Sequence, residues 1–198
     1  QGIIALELLN ILSEMEKPAG GPLSVARLHA FIEATRLAYR DRNQYIGDPR
    51  QVKVPVDQLL DRGRARRLTH SIDPKKRMAE LPKADMPVHA DTVYLCVVDK
   101  DRNAVSFINS LFANFGSGLC GPKSGVMLQN RGMSFTVDAR HPNANAPGKR
   151  PMHTIIPAMM VDGDRAAMPF GVMGGAYQAA GHAWFISNLF DYGLDIQE

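Results

Sequence analysis

The hydrophobic periodicity of this chain changes at Thr92, and the change separates a helical half from a strand-rich half. Before it, apolar residues recur every three or four positions, as on one face of a helix. The run Thr92-Val-Tyr-Leu-Cys-Val-Val98 is instead rich in β-branched and aromatic residues, which favours a strand. An aperiodic segment with several prolines, residues 73–91, lies between the two halves and predicts an exposed linker. We therefore expect an α+β protein.

Three helices are predicted in the first half. The first covers residues 3–16 and ends where Lys17-Pro18 begins a segment rich in proline and glycine. Ser24 is the expected N-cap of the second helix. The predicted buried stripe of that helix consists of Leu28, Phe31, Ile32, Thr35 and Tyr39. The third helix covers residues 56–69, and its RGRARR run is expected to form a solvated face rather than a binding surface.

The second half is predicted to contain strands and one helix. Residues 92–98 and 104–110 flank a polar turn, which is the pattern of an antiparallel hairpin. Further strands are expected at residues 125–129, 155–161 and 167–172, and a helix at residues 178–192. The Gly116-Ser-Gly118 tripeptide lacks the other residues of a phosphate-binding loop, so we interpret it as a turn.

Composition excludes several functional classes. The 198 residues include 23 basic and 20 acidic side chains, and a net charge of +3 gives no support for nucleic-acid binding. The longest apolar runs fall well short of the roughly 20 residues of a membrane helix, so no membrane association is expected. The histidines show no metal-ligand spacing, and we expect no metal and no cofactor. Cys96 and Cys120 are expected to be free, buried thiols, which favours the cytoplasm over the periplasm. Because the chain begins at Gln1 inside an apolar helical pattern, we expect it to be an interior fragment.

The junction at Thr92 also suggests a chemical function. A cut between Asp91 and Thr92, just after His89, would leave a free threonine at the start of a strand. Its hydroxyl would be a nucleophile whose base is its own α-amine, a group much less basic than a lysine side chain. Threonine is also a common first residue of strands, and from position alone that structural interpretation is the better supported one.

A series of motifs extends along nearly the whole chain. They are Ala38-Tyr-Arg-Asp-Arg-Asn-Gln-Tyr-Ile-Gly-Asp-Pro49, Val52-Lys-Val-Pro55, the strand from Thr92 to Ser106, Phe115-Gly-Ser-Gly118, Leu128-Gln-Asn130, Ala146-Pro-Gly-Lys-Arg-Pro151 and Gly174-Gly175. Their order and spacing resemble the γ-glutamyltranspeptidase family of N-terminal-nucleophile hydrolases. The Gln129-Asn-Arg-Gly132 motif resembles the lidless subgroup that includes oxamate amidohydrolases and cephalosporin acylase-like members.

The resemblance implies a four-layer αββα fold, present here as a partial chain, and a precursor that cuts itself between Asp91 and Thr92. Residues 1–91 would be the C-terminal part of a large subunit, and residues 92–198 the N-terminal part of its partner, the small subunit. Thr92 falls on the family's nucleophile. Ser110 falls on a threonine that hydrogen-bonds the nucleophile. Gly174 and Gly175 fall on the family's glycine pair, whose backbone amides stabilise the oxyanion.

The positions that resemble the substrate site depart from the family pattern. Arg131 and Ser134 stand where true transpeptidases have the glutamine and aspartate that hold the glutamyl α-amino group. Phe112 replaces an asparagine, and His153 and Thr154 replace two serines that contact the substrate carboxylate. Because arginine has only donors and a permanent positive charge, Arg131 would repel an ammonium ion and attract a carboxylate. The expected substrate is a small amide that bears a carboxylate but no α-amino group, such as oxamate or a glutaryl-amide.

Two other functions remain open on the sequence. A true γ-glutamyltransferase or glutathione hydrolase would prefer γ-glutamyl over glutaryl substrates. A non-catalytic relative would serve as a binding or structural module, with an intact chain and an unreactive Thr92. Cleavage of the precursor and substrate preference therefore distinguish the three functions.

Overall fold

The computed structural model describes residues 1–79 and 91–197, and for Asp91 it describes only the backbone. Most of the predicted linker, including His89, lies outside these residues. In the described part of the chain, no helix is both long and apolar enough to cross a membrane.

Helices form the first half of the chain, as predicted. They are α1 (Gly2–Ser13), α2 (Val25–Tyr45), α3 (Val56–Leu59) and α4 (Arg62–His70). Ser24 caps α2, because its side chain accepts a hydrogen bond from the backbone N–H of Arg27 at 3.3 Å. The single helix predicted for residues 56–69 is wrong. Asp61 interrupts it and caps a new helix by accepting from the backbone N–H of Arg64 at 2.6 Å.

The buried face of α2 also differs from the prediction. Leu28 and Ile32 of the predicted stripe are 39% and 54% exposed, and the stripe's other members are only partly buried. The face that packs against the core consists of Glu33, Ala34, Leu37, Ala38, Asp41 and Arg42. Its charged members are buried because they have partners: Arg36 donates to Glu33 at 2.8 Å, and Arg40 donates to Asp41.

The RGRARR run is not uniformly solvated. Arg64 reaches from α4 to the carboxylates of Glu7 on α1, at 2.6 Å, and of Asp41 on α2. Both acids are 1% exposed, so Arg64 joins three helices through an interior ion cluster. Arg66 of the same run pairs with Glu14 at 3.0 Å and keeps a largely exposed side chain, as predicted.

Two antiparallel hairpins and one helix form the second half. Their elements are β1 (Asp91–Val98), β2 (Ala104–Phe112), β3 (Ala158–Asp162), β4 (Arg165–Phe170) and α5 (Gln178–Tyr192). β1 pairs with β2 and β3 pairs with β4, and α5 has the predicted bounds. The predicted strand 155–161 begins late because Pro157 has no backbone N–H for the ladder. β1 begins at Asp91, one residue before its predicted start.

The strand predicted at residues 125–129 is not formed. This segment instead lies against the loop that contains the Gly116-Ser-Gly118 turn, and Leu128 exchanges backbone hydrogen bonds with Ser117 and Leu119. The β-type pairing between them is limited to one isolated bridge, between Cys120 and Met127. Positive φ angles of 58° and 73° at the two turn glycines explain why glycine is needed there. Cys120 and Cys96 are free, as predicted, but they are exposed rather than buried, since one lies in this loop and the other on a two-stranded sheet.

One hydrophobic core joins the two halves of the chain. Ile4, Leu8 and Ile11 of α1 are fully buried. Ala179 and Ala183 of α5 belong to the same cluster, and their small side chains let α1 and α5 approach closely. Burial of a side chain such as Leu8 stabilises the fold by roughly 1.5–3 kcal/mol. The segments on either side of the predicted cut therefore share one core.

Candidate active site

Thr92 lies at an irregularity in the β1–β2 hairpin. Asp91 pairs with Phe112 and Val93 pairs with Asn109, so Thr92 alone faces two residues of β2. Such β-bulges bend a strand locally and re-aim side chains, and they are common next to active sites.

The bulge brings the hydroxyls of Thr92 and Ser110 together. Thr92 Oγ1 donates a hydrogen bond to Ser110 Oγ at 3.3 Å, and Ser110 Oγ also accepts from the backbone N–H of Phe112 at 3.0 Å. Phe112 is 3% exposed and has a φ of +82°, a conformation that is strained for an aromatic residue. The two predicted hydroxyl residues are thus in direct contact.

Arg131 is a buried cation beside this cluster. It begins a short 3₁₀ turn, Arg131–Ser134, and is 2% exposed. Its Nη1 donates to Thr154 Oγ1 at 3.1 Å, and its guanidinium lies 5.1 Å from the centre of the Phe112 ring. Burial lowers the pKa of Arg131. Among the residues that the structure describes, no carboxylate pairs with Arg131, and its buried Nη2 has no hydrogen-bond partner.

Gly174 and Gly175 form the turn that leads into α5. Both have positive φ angles, +114° and +56°, which glycine adopts without strain. The carbonyl of Gly174 accepts from the backbone N–H of Tyr177 at 3.1 Å. Within residues 1–79 and 91–197, neither glycine N–H donates a hydrogen bond to the protein. Two adjacent amide donors are thus left for another acceptor.

Two of the predicted substrate residues make other contacts. His153 is exposed, and its Nδ1 lies 2.9 Å from the carbonyl of Pro151, two residues earlier. Ser134 is partly buried, and its hydroxyl donates to the carbonyl of Met152 at 3.5 Å. Direct contacts therefore connect five of the predicted residues: Thr92, Ser110, Phe112, Arg131 and Thr154. The contacts of His153 and Ser134 do not join them to this group.

Sequence reasoning missed three residues that organise the surroundings of the site. Asn143 is 3% exposed; its side-chain amide donates to the carbonyl of Ser134 at 2.6 Å and accepts from the N–H of Met152 at 2.9 Å. Gln1, which precedes α1, contacts the carbonyl of Gly175, and Tyr39 of α2 contacts the carbonyl of the next residue, Ala176. All three act on backbone groups, which leave no pattern in the sequence.

Known proteins resemble the whole chain. A family model described as Gamma-glutamyltranspeptidase matches residues 1–198. The glutathione hydrolase-like YwrD proenzyme of Bacillus subtilis is 35% identical over 100% of this chain and 37% of its own length. The oxamate amidohydrolase proenzyme of Klebsiella pneumoniae is 36% identical, again over 100% of this chain and 37% of its own length.

A solved structure agrees with these relatives. The cephalosporin acylase from Bacillus halodurans has a TM-score of 0.84 and 40% identity, over 98% of this chain and 34% of that chain. The chain thus spans 37% of the length of the two curated relatives. The likeness confirms the predicted α+β, N-terminal-nucleophile hydrolase fold with its αββα layers, of which this chain is a part. The chain belongs to the gamma-glutamyltranspeptidase family.

Proposed function

We propose that this chain holds the nucleophile and part of the substrate site of an autoprocessed amidohydrolase. The observation that carries the proposal is the hydrogen bond from Thr92 Oγ1 to Ser110 Oγ at a strand bulge. The names of the relatives support it, since they include a glutathione hydrolase-like proenzyme, an oxamate amidohydrolase proenzyme and a cephalosporin acylase. Residues 1–91 end the large subunit, and residues 92–198 begin the small subunit.

The first reaction is cleavage of the chain's own peptide bond. Thr92 Oγ attacks the carbonyl carbon of Asp91, the bond from that carbon to the nitrogen of Thr92 breaks, and the hydroxyl proton moves to the nitrogen. Water then hydrolyses the resulting ester. The products are a carboxylate at Asp91 and a free α-amine and hydroxyl at Thr92.

The mature site then turns over an external amide. Thr92 Oγ attacks the substrate carbonyl while the Thr92 α-amine accepts its proton and passes it to the leaving amine. The amides of Gly174 and Gly175 stabilise the negative charge on the tetrahedral intermediate. Water resolves the acyl-enzyme and releases the acid.

The substrate is an amide that bears a carboxylate but no α-amino group. Arg131 supports this choice, because a buried guanidinium without a carboxylate partner in the described residues is costly until an anion neutralises it. The same positive charge disfavours the ammonium group of a γ-glutamyl substrate. Thr154, which accepts from Arg131 Nη1, orients the guanidinium.

A denaturing gel of the complete protein tests the cleavage. We expect two fragments, with Thr92 at the start of the smaller one by N-terminal sequencing. Thr92→Ala should stay one chain, whereas Thr92→Ser should still be cut. Ser110→Ala should slow the cut, and Ser106→Ala, which removes another hydroxyl of β2, should not. Cleavage of the Thr92→Ala variant before residue 92 would refute the proposal, and an uncut wild-type chain would favour a non-catalytic module.

Kinetics on the mature enzyme test the substrate class. We expect a higher kcat/KM for oxamate or glutaryl-p-nitroanilide than for γ-glutamyl-p-nitroanilide. Arg131→Gln should reduce that preference, and Arg140→Gln, at an exposed arginine that pairs with Asp138, should leave it unchanged. A clear preference of the wild type for the γ-glutamyl compound would indicate a glutathione hydrolase instead and would leave the role of Thr92 intact.

A further inference from the structure

We propose that Tyr39 and Gln1 are positioning residues that hold the glycine turn, so that its two amides stay aimed at the oxyanion. Both belong to the segment upstream of the predicted cut, whereas Gly174 and Gly175 lie downstream of it. The inference rests on the proposed function and adds to it a positioning role for the upstream segment.

The Tyr39 hydroxyl joins α2 to the glycine turn and to α5. It donates to the carbonyl of Ala176 and accepts from the backbone N–H of Ala180 at 3.4 Å. That N–H belongs to the first turn of α5, where backbone donors have no partner within the helix. Burial raises the pKa of Tyr39, so its hydroxyl remains a donor at neutral pH. One side chain thus fixes both the turn and the helix that follows it.

The Gln1 side-chain amide makes the second set of contacts. Its Nε2 lies within hydrogen-bond distance of three carbonyl oxygens: Gly175 at 3.3 Å, Ala176 at 3.2 Å and Thr154 at 3.3 Å. Arg42 Nη1 donates to Gln1 Oε1 at 3.5 Å, which orients the amide. Gln1 therefore links the glycine turn to Thr154, the residue that contacts Arg131.

These contacts constrain consecutive peptide planes. The carbonyl of Gly174 is held by Tyr177, that of Gly175 by Gln1, and that of Ala176 by Gln1 and Tyr39. A glycine pair with positive φ angles has little intrinsic resistance to a peptide flip. Because fixed donors stabilise an oxyanion far better than mobile ones, anchors on the adjacent carbonyls should raise kcat.

Tyr39→Phe tests the inference against a matched control, Tyr45→Phe. Tyr45 lies on the same helix and is partly buried, and its hydroxyl has no hydrogen bond to any residue that the structure describes. In mature enzyme, Tyr39→Phe should lower kcat about 10-fold, less than the roughly 10²–10³ of losing a donor outright. KM should stay within about twofold, and Tyr45→Phe should match the wild type.

A tetrahedral probe separates positioning from general destabilisation. A carboxylate-bearing boronic acid that adds to the Thr92 hydroxyl presents an oxygen where the oxyanion develops, so its Ki should rise in Tyr39→Phe by the same factor as kcat falls. Gln1→Glu replaces the amide donor with a carboxylate, which can only accept hydrogen bonds and so cannot hold the three carbonyls. It should therefore lower kcat and raise Ki, as Tyr39→Phe does.

The outcomes are distinguishable. Unchanged kcat and Ki in both variants, with normal cleavage and turnover in the wild type, would overturn the positioning role and leave the proposed function intact. A loss of kcat that came with a raised KM and an unchanged Ki would also overturn it, since it would indicate a structural role. A wild type that neither cuts itself nor hydrolyses an amide would remove the proposed function, and this inference with it.

Discussion

Protonation of Glu7 should make the stability of the helical core depend on pH, and Glu7→Gln should remove that dependence. Glu7 and Asp41 are each 1% exposed, and Arg64 on α4 contacts both carboxylates. Burial, followed by the hydrogen bond and the charge of Asp41, raises the pKa of Glu7 to about 8. Burial opposes ionisation of Asp41 too, but its hydrogen bonds to Glu7, Arg40 and Arg64 lower its pKa. At neutral pH the pair therefore holds one proton, on Glu7.

The sign and size of the effect follow from this proton. Between the ordinary pKa of 4.5 and about 8, folded Glu7 keeps a proton that the unfolded chain releases. Across that window each pH unit lowers the free energy of unfolding by ~1.4 kcal/mol. The stabilisation is fully present below pH 4.5 and is lost as pH rises through 8, for a total of several kcal/mol. A glutamine, which resembles the protonated acid at every pH, should not lose it.

Thermal unfolding at pH 4, 6 and 9 checks this prediction. Glu7→Gln should have a Tm close to that of the wild type at pH 4 and a higher Tm at pH 6, and the difference should be largest at pH 9. Glu16→Gln makes the same chemical change at an exposed position near the end of α1, and its Tm should follow the wild type throughout. A difference in Tm between Glu7→Gln and wild type that is the same at pH 6 and pH 9 would refute the assignment of the proton.

Three other substitutions have expected outcomes. Gly47→Ala should cost about 1–3 kcal/mol of stability in a denaturation experiment, because its Cβ would lie 2.3 Å from the carbonyl oxygen of Pro142; Gly21→Ala, with open space around it, should cost far less. Ser24→Ala should lower stability by about 1 kcal/mol through loss of the α2 cap, and an unchanged Tm would contradict that role. Gly175→Val should reduce kcat of mature enzyme roughly 10²–10³-fold, and wild-type kcat would exclude this turn as the oxyanion site.

Local patterns predicted most of the helices and the β1–β2 hairpin, and they predicted β3 and β4 as strands with other bounds but not as a hairpin. The α5 bounds and the Ser24 cap could be read from the sequence because propensity and capping act over a few residues. The buried face of α2 could not. Periodicity counts apolar side chains, and this face buries Glu33, Asp41 and Arg42, whose partners include residues outside α2.

The candidate site divides in the same way. Family resemblance singled out Thr92 and Ser110, and the structure brings these two into contact. The bulge that joins them depends on strand register, which is a property of two segments and not of one. Gln1, Tyr39 and Asn143 escaped notice because they bond backbone groups, and such bonds require nothing of the partner's side chain. For Gln1 and Tyr39 the partner is also far away in the chain.

The contacts across the predicted cut argue that cleavage frees the Thr92 amine without releasing the upstream segment. The shared core keeps α1 packed against α5, and Asp48 holds the downstream loop by accepting from the backbone N–H and the Nη2 of Arg150, both at 2.9 Å. Hydrogen bonds from Arg150 hold the pKa of Asp48 well below its usual range, so this attachment persists at neutral pH and weakens only in strong acid. Under the positioning role proposed for Tyr39 and Gln1, the upstream segment would contribute to the mature site. Its loss should therefore disable catalysis even where Thr92 is already free.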